Sequence, residues 1–122
     1  MARILLIDDD APVRRTLRKM LERQGYEVEE APDGKAGLTL YQENPADLII
    51  TDLIMPEMEG IETIMELRRR FPDVKIIAMS GGGQIRPEQY LQIAKSLGAQ
   101  HTFAKPVEMK LLLKTVEELL TV

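Results

Sequence analysis

The chain has 122 residues, enough for one domain with a sizeable hydrophobic core. Its net charge of −4 disfavours non-specific nucleic-acid binding, and the absence of cysteine together with a single histidine excludes disulfides, thiolate metal sites and the usual zinc sites. No apolar stretch is long enough to span a bilayer, so we expect a cytoplasmic protein without membrane insertion.

Apolar runs alternate with amphipathic stretches along the whole chain. Strands are predicted over about 3–8, 26–31, 47–52, 74–79 and 100–104, and helices over about 11–24, 34–43, 59–70, 87–97 and 107–120. The first, third and fourth strands are nearly all apolar, which is typical of parallel strands buried on both faces. The second alternates glutamates with apolar residues, which favours an edge strand. The pattern predicts one α/β domain over 1–122, a doubly wound five-stranded parallel sheet with helices on both faces.

The predicted first helix has recognisable ends and two distinct faces. Pro12 suits its first turn, and Gly25 suits the position just after its end. One face is apolar at helical spacing, with Val13, Leu17, Met20 and Leu21. The opposite face is basic and is expected to be solvated, with Arg14, Arg15, Arg18 and Lys19.

Acidic residues follow two of the apolar strands directly. Asp8, Asp9 and Asp10 come after the first strand, and Asp52 ends the third. The carboxyl ends of the strands form the functional edge of an open α/β sheet. Carboxylates gathered there repel one another and resist burial unless a cation neutralises them. The sequence therefore predicts an acidic site for a hard divalent cation.

Two further polar groups are predicted at the same edge. Ser80 follows the fourth strand and precedes three glycines, and Lys105 follows the fifth strand just before Pro106. A carboxylate can act as a nucleophile and form an acyl phosphate, while magnesium, a hydroxyl and an ammonium draw charge off the phosphoryl oxygens. The set as a whole indicates phosphoryl chemistry.

The order and spacing of these motifs resembles the receiver domain of two-component response regulators, of the chemotaxis-regulator type. The matching pieces are Asp8-Asp9, the stretch 51–60, Ser80-Gly81 and Ala104-Lys105-Pro106. The resemblance covers the whole chain and implies the flavodoxin-like strand order 2-1-3-4-5. It also implies Mg²⁺-dependent transfer of a phosphoryl group from a phosphohistidine to Asp52, followed by conformational signalling in a two-component system or phosphorelay.

The resemblance also implies a role for each site residue. Asp8, Asp9, Asp52 and the backbone carbonyl of Ile54 would bind Mg²⁺, for which Mn²⁺ could substitute. Ser80 would hydrogen-bond one phosphoryl oxygen, and Lys105 would form an ion pair with another. The peptide bond between Lys105 and Pro106 is expected to be cis, as is common in the family.

Asp10 lies one place beyond the matched acidic pair. We therefore assign it to the N-cap of the first helix, where Asp is a preferred residue, and not to the metal site.

The switch region departs from the family pattern. The position three before Lys105, usually aromatic, is Thr102, and Phe103 follows it. We expect the loop at Gly81, Gly82 and Gly83, in place of an aromatic side chain, to move on phosphorylation and to reset the fourth helix.

A second departure concerns the lifetime of the phosphorylated form. Ile54 and Gly82 stand where family members often have a polar side chain that orients attacking water. Neither residue has a side chain that can hydrogen-bond a water. This predicts slow self-dephosphorylation, over minutes or longer.

Partners follow from the resemblance. They would be a histidine kinase or a histidine phosphotransfer protein, and a downstream protein or an output domain, with no direct nucleic-acid binding. Such a domain assists its own modification but turns over no separate substrate, so it is not an enzyme in the usual sense. It could be a stand-alone receiver or part of a longer regulator.

Two alternative functions stay open at this point. One is a haloacid-dehalogenase-type phosphatase that uses Asp8 as its nucleophile, which would leave Asp52 without a role. The other is a receiver-fold interaction module that works without phosphorylation.

Overall fold

Five strands alternate with five helices in the part of the chain that the structure describes. The structure, a computed structural model, describes residues 2–53, 60–80 and 87–121, apart from the side chains of 87–91. The elements are β1 (Arg3–Ile7), α1 (Ala11–Arg23), β2 (Glu27–Ala31), α2 (Gly34–Glu43), β3 (Leu48–Asp52), α3 (Gly60–Arg70), β4 (Ile76–Ser80), α4 (Pro87–Ser96), β5 (His101–Ala104) and α5 (Met109–Leu120). Every predicted element is confirmed, and each end lies within two residues of its predicted position.

The strands form one parallel sheet in the order β2-β1-β3-β4-β5, which confirms the predicted fold. β1 and β3 are neighbours in register, with Ile7 opposite Thr51. β4 and β5 are likewise paired, with Ser80 opposite Ala104. The carboxyl ends of β1, β3, β4 and β5 therefore meet at one edge.

The core consists of two apolar layers, one on each face of the sheet. Successive residues of β1 alternate between them: Leu5 and Ile7 pack with α2, α3 and α4, whereas Ile4 and Leu6 pack with α1 and α5. A strand that contributes to both layers has little place for polar side chains, because each would be buried without water. This explains the continuous apolar run of β1.

The ends of α1 are as the sequence predicts. Asp10 is its N-cap, and the Oδ1 atom accepts a hydrogen bond of 3.2 Å from the backbone N–H of Val13. Gly25 follows the helix with φ +92°, a left-handed conformation that glycine adopts at low cost. The cap fixes where the helix starts relative to the acidic residues before it.

β2 lies at one edge of the sheet, and arginines contact all three of its glutamates. Arg3, on the neighbouring β1, lies 3.7 Å from Glu27 and 3.5 Å from Glu29. Glu30 is bound by two arginines of α1. The predicted edge strand is thus confirmed, and its acidic row is covered by basic side chains. None of the described helices is long and apolar enough to cross a membrane.

Candidate functional site

Three carboxylates converge at the carboxyl ends of β1 and β3. One carboxylate oxygen from each of Asp8, Asp9 and Asp52 lies within 4.8 Å of the other two. Asp8 and Asp52 are 1% and 6% exposed, whereas Asp9 is open to solvent. Adjacent strands and a turn of the chain thus bring together residues that are far apart in sequence.

Lys105 lies between the two buried carboxylates. Its Nζ atom donates to Asp8 Oδ2 at 2.9 Å and to Asp52 Oδ2 at 3.3 Å. Burial alone would lower the pKa of Lys105, but the hydrogen bond to Asp8 and the charge of Asp52 outweigh burial, so the pKa is raised. Among the described residues, one protonated ammonium therefore faces three carboxylates, and negative charge is in excess.

Ser80 contributes a hydroxyl that is buried and lacks a partner among the described residues. The side chain is fully buried at the end of β4, and its Oγ atom makes no hydrogen bond there. The backbone carbonyl of Ser80 accepts from the N–H of Lys105 at 2.9 Å, which ties the two strand ends together. An unpaired buried hydroxyl is costly, so this group is well suited to bind an oxygen of a ligand.

The backbone around Asp52 is fixed by close packing. The N–H of Leu53 donates to the carbonyl of Met79 at 2.9 Å, which continues the β3–β4 ladder past the site. The first residue of α3, Gly60, lies directly against this segment: a Cβ atom there would overlap the Asp52 carbonyl oxygen and the Cα of Leu53. Only glycine allows α3 to begin this close to Asp52.

Asp8 is held by groups on both sides of it. Its N–H donates to the carbonyl of Ala31 at 3.1 Å, and its Oδ1 accepts from the N–H of Asp10 at 2.9 Å. Its carbonyl accepts from Arg14 Nη1 at 2.7 Å. The sequence pattern does not predict this last contact, because helical periodicity puts Arg14 on the solvated face, whereas its side chain is only 14% exposed. No sequence motif marks Arg14 for this contact.

The structure describes only some of the residues of the predicted switch region. Ile54, Gly81, Gly82 and Gly83 lie outside the described residues. Thr102 is half-buried and opposite Ala78, and Phe103 packs against the core layer of α1 and α5.

The peptide bond between Lys105 and Pro106 is cis, as the resemblance implies.

The residues present suit a hard divalent cation. Mg²⁺ prefers oxygen ligands and is typically bound by one or two carboxylates together with water. Asp8, Asp9 and Asp52 offer such oxygens within a small volume, and Lys105 neutralises only part of their charge. Ser80, at the end of the neighbouring strand β4, adds a hydroxyl that has no partner among the described residues.

Comparisons with known proteins agree with this architecture. The family model of the response regulator receiver domain matches residues 4–117. Response regulator receiver protein CpdR of Brucella abortus is 43% identical over 81 residues, which cover 66% of this chain and 68% of CpdR. Chemotaxis protein CheY4 of Vibrio cholerae superposes with a TM-score of 0.86 at 34% identity, over 98% of this chain and 99% of CheY4.

Other relatives are much longer than this chain. Sensor kinase CckA of Brucella abortus is 35% identical over 98% of this chain, but the match covers 12% of CckA. Several further curated relatives are about twice as long as this chain, and the match covers 50% of their length. The fold, the converging strand-end residues and the family match lead to one conclusion: the chain belongs to the family of response regulator receiver domains.

Proposed function

We propose that residues 1–122 form one receiver domain that takes a phosphoryl group from a phosphohistidine onto Asp52 in a Mg²⁺-dependent reaction. The domain then passes a conformational change to a partner protein or an output domain. The observation that carries the proposal is the position of Asp52: a buried carboxylate that shares one lysine ammonium with Asp8 and lies within metal-binding distance of Asp8 and Asp9.

The proposed reaction is a phosphoryl transfer between two protein side chains. A carboxylate oxygen of Asp52 attacks phosphorus, the P–N bond to the imidazole breaks, and its electron pair stays on the imidazole nitrogen. Asp8, Asp9, Asp52 and the Ile54 carbonyl would bind Mg²⁺, which would supply neutralisation of charge on the reacting oxygens; Mn²⁺ has the same ligand preference. The chain's own part is positioning and electrostatic stabilisation.

Lys105 and Ser80 receive the transferred group in this proposal. Lys105 already lies 3.3 Å from Asp52 and moves from the carboxylate to a phosphoryl oxygen. Ser80, whose Oγ has no partner in the part of the chain that the structure describes, donates to another phosphoryl oxygen. Both interactions increase as charge accumulates on these oxygens in the transition state, which is the requirement for catalytic assistance.

The partners in this proposal are a histidine kinase or a histidine phosphotransfer protein, and then a downstream protein or output domain. Two of the relatives, a response regulator receiver protein and a sensor kinase, support this assignment. The domain turns over no separate substrate, binds no nucleic acid directly and inserts into no membrane. It works in the cytoplasm, where the ATP that charges a kinase histidine is available.

Phosphodonor labelling tests the proposal and its strongest alternative. The protein is incubated with Mg²⁺ and phosphoramidate, and the modified residue is identified by intact mass and peptide mapping. We expect one phosphoryl group on Asp52, no labelling of Asp52→Asn, and no labelling when EDTA removes Mg²⁺. Asp73→Asn is the matched control. It removes an exposed aspartate that is not part of the site, and it should keep full labelling.

Each alternative function has its own result in this experiment. Labelling of Asp8 that persists in Asp52→Asn would support the haloacid-dehalogenase-type phosphatase. Such a phosphatase would use Asp8 and Asp10 together as an Asp-x-Asp motif. The Asp10 side chain instead caps α1, which counts against this alternative. A folded protein that no donor labels in the presence of Mg²⁺ would support an interaction module that works without phosphorylation.

The lifetime of the phosphorylated form is expected to be long. Ile54 and Gly82 offer no side-chain group that can orient water for attack on the acyl phosphate. We expect a half-life of minutes or longer once the donor is removed, measured by phosphate release. Decay within a few seconds would contradict this expectation.

The glycine segment is proposed as the moving part of the switch. When Ser80 binds the phosphoryl group, the segment Gly81, Gly82 and Gly83 would become ordered and reset α4. This would replace the usual aromatic switch, whose position is occupied by Thr102. Hydrogen exchange across 81–90, with and without beryllofluoride as phosphoryl mimic, should show increased protection in the mimic-bound form. Unchanged protection would rule out this switch.

A further inference from the structure

Arg14 connects α1 to the backbone of the acidic site. Its Nη1 atom donates a 2.7 Å hydrogen bond to the carbonyl of Asp8, the residue that follows β1. This carbonyl belongs to the peptide unit that joins Asp8 to Asp9. The orientation of that unit determines where the two carboxylates point, and Arg14 holds it through this hydrogen bond.

Glu30 holds Arg14 in place. Its Oε1 atom accepts from Arg14 Nε at 2.8 Å, and its Oε2 accepts from Arg18 Nη1 at the same distance. The hydrogen bond from Arg18 lowers the pKa of Glu30, more than burial raises it, and Arg14 lowers it further, so Glu30 is ionised at neutral pH. The Arg14 guanidinium therefore has one N–H on a fixed carboxylate and another on the Asp8 carbonyl.

We propose that Arg14, held by Glu30, is a positioning residue for cation binding, which fixes the Asp8–Asp9 peptide so that both carboxylates face the metal. This inference rests on the proposed function, because it assumes that the acidic site binds Mg²⁺. It adds two residues that touch neither the cation nor the phosphoryl group. Glu30 belongs to an edge strand and Arg14 to the helix, so the pair couples both elements to the site.

The planar geometry of arginine is essential to this role. A guanidinium presents several N–H groups in a rigid fork, so one side chain can serve the Asp8 carbonyl and the Glu30 carboxylate together. A lysine retains the positive charge but cannot reproduce the fork. Loss of a group that orients metal ligands typically weakens metal binding about 10- to 100-fold.

Isothermal titration of the unphosphorylated protein with MgCl₂ tests the inference directly. We expect Arg14→Lys to weaken Mg²⁺ binding about 10-fold, although the net charge is unchanged. Glu30→Gln should weaken binding by a similar factor, because it releases the same guanidinium. The double variant should be no weaker than either single variant, since both changes break one unit.

Arg15→Gln is the matched control for charge. Arg15 lies next to Arg14 on α1 but is exposed, so its loss changes the local charge without touching Asp8. Removal of a positive charge near a cation site strengthens Mg²⁺ binding slightly. Arg14→Gln carries the same charge as Arg15→Gln, so a difference in Mg²⁺ affinity between the two variants reports the lost contact with Asp8. We expect Arg14→Gln to bind Mg²⁺ more weakly.

Measurements of stability and of labelling rate distinguish a role of Arg14 in positioning the metal ligands from a role in stabilising the fold. Urea unfolding of each variant establishes that titrations are done on folded protein. Lower stability with unchanged Mg²⁺ affinity would overturn the inference, and so would Arg14→Lys with the affinity of the wild type. In phosphoramidate labelling, Arg14→Lys should require more Mg²⁺ and reach the wild-type limiting rate; a lower limiting rate at unchanged affinity would also overturn it.

The proposed function fails separately from this inference. If the wild-type protein binds no Mg²⁺, both are wrong. If the wild-type protein binds Mg²⁺ and is labelled on Asp52 while the Arg14 variants match it, only the role of Arg14 and Glu30 is wrong.

Discussion

The arginine network contacts the acidic site through the Asp8 carbonyl, but the charges of the two groups are balanced differently. In the acidic site (Asp8, Asp9, Asp52 and Lys105), one ammonium faces three carboxylates. In the arginine network (Arg14, Arg18, Glu22 and Glu30), two guanidiniums face two carboxylates, with contacts from 2.8 to 3.3 Å.

The difference shows that the acidic site needs a cation to balance its charge, whereas the arginine network is balanced by its own residues. The arginine network satisfies its own charges, so it can act as a fixed support. The acidic site keeps unbalanced negative charge in a partly desolvated place, where an added cation is strongly favoured. One part of the molecule provides rigidity and the other provides binding energy, and the Asp8 carbonyl is where they meet.

Lys105→Met should have the largest effect, because it removes the only basic group among the described residues that forms an ion pair with the carboxylates of the site. Asp8 and Asp52 would be left buried without their shared partner. We expect the free energy of unfolding to fall by about 3 kcal/mol at pH 7 in EDTA, measured by urea denaturation.

Mg²⁺ should restore more stability to Lys105→Met than to the wild type, because it replaces the missing charge. Lys110→Met, at an exposed position of α5, is the control and should behave as the wild type. Equal stability of Lys105→Met and the control in EDTA would show that the lysine does not balance the site.

Gly60→Ala tests whether the site also depends on close backbone packing. The added methyl overlaps the Asp52 carbonyl oxygen and must displace either β3 or α3. We expect a loss of about 2 kcal/mol in the free energy of unfolding and slower labelling of Asp52.

Gly37→Ala is the comparison for Gly60→Ala. Its methyl would meet the Ile7 side chain, not backbone, so part of the overlap can be relieved by a side-chain rotation. It should be less destabilising and should leave the labelling rate unchanged. The packing argument would be wrong if Gly60→Ala were labelled as fast as Gly37→Ala.

Glu30→Gln should show the smallest effect on stability, with a pH dependence of defined sign. Hydrogen bonds from Arg18 and then Arg14 outweigh burial and lower the pKa of Glu30 below the unfolded value near 4.5. The stabilisation by ionised Glu30 is therefore complete above that value and is lost as the pH falls through the lower folded value. We expect a difference of about 1 kcal/mol between the wild type and Glu30→Gln at pH 7.

Urea denaturation from pH 7 down to pH 3 checks this sign. The difference between the wild type and Glu30→Gln should shrink only below pH 4.5. A difference that shrinks between pH 7 and pH 5 would mean that the arginines do not stabilise the carboxylate.

The fold and most of the candidate site could be predicted because both depend on local patterns. The apolar run of β1 reflects burial on both faces of the sheet, and the glutamates of β2 reflect its position at the edge of the sheet. Once the strands are known to be parallel, residues at their carboxyl ends must converge. Asp8, Asp52 and Lys105 could be grouped for this reason before any distance was known.

Arg14 and Gly60 could not be assigned in the same way. Helical periodicity separates apolar from polar faces, but it does not tell whether a polar side chain reaches solvent or a neighbouring loop. That outcome depends on how α1 lies across β2, which brings Arg14 to Glu30. The close approach of Gly60 to Asp52 likewise depends on where α3 docks against the sheet.

The acidic row on β2 has a consequence for self-association. An outer strand exposes unpaired N–H and C=O groups, which invite a strand from a second molecule and can lead to aggregation. A second molecule that paired its β2 with this β2 would bring the glutamates of the two strands together. In each molecule these glutamates form ion pairs with arginines of β1 and α1. Growth of the sheet from this side into a dimer or a fibre is therefore opposed by bulky charged side chains that already have partners within the molecule.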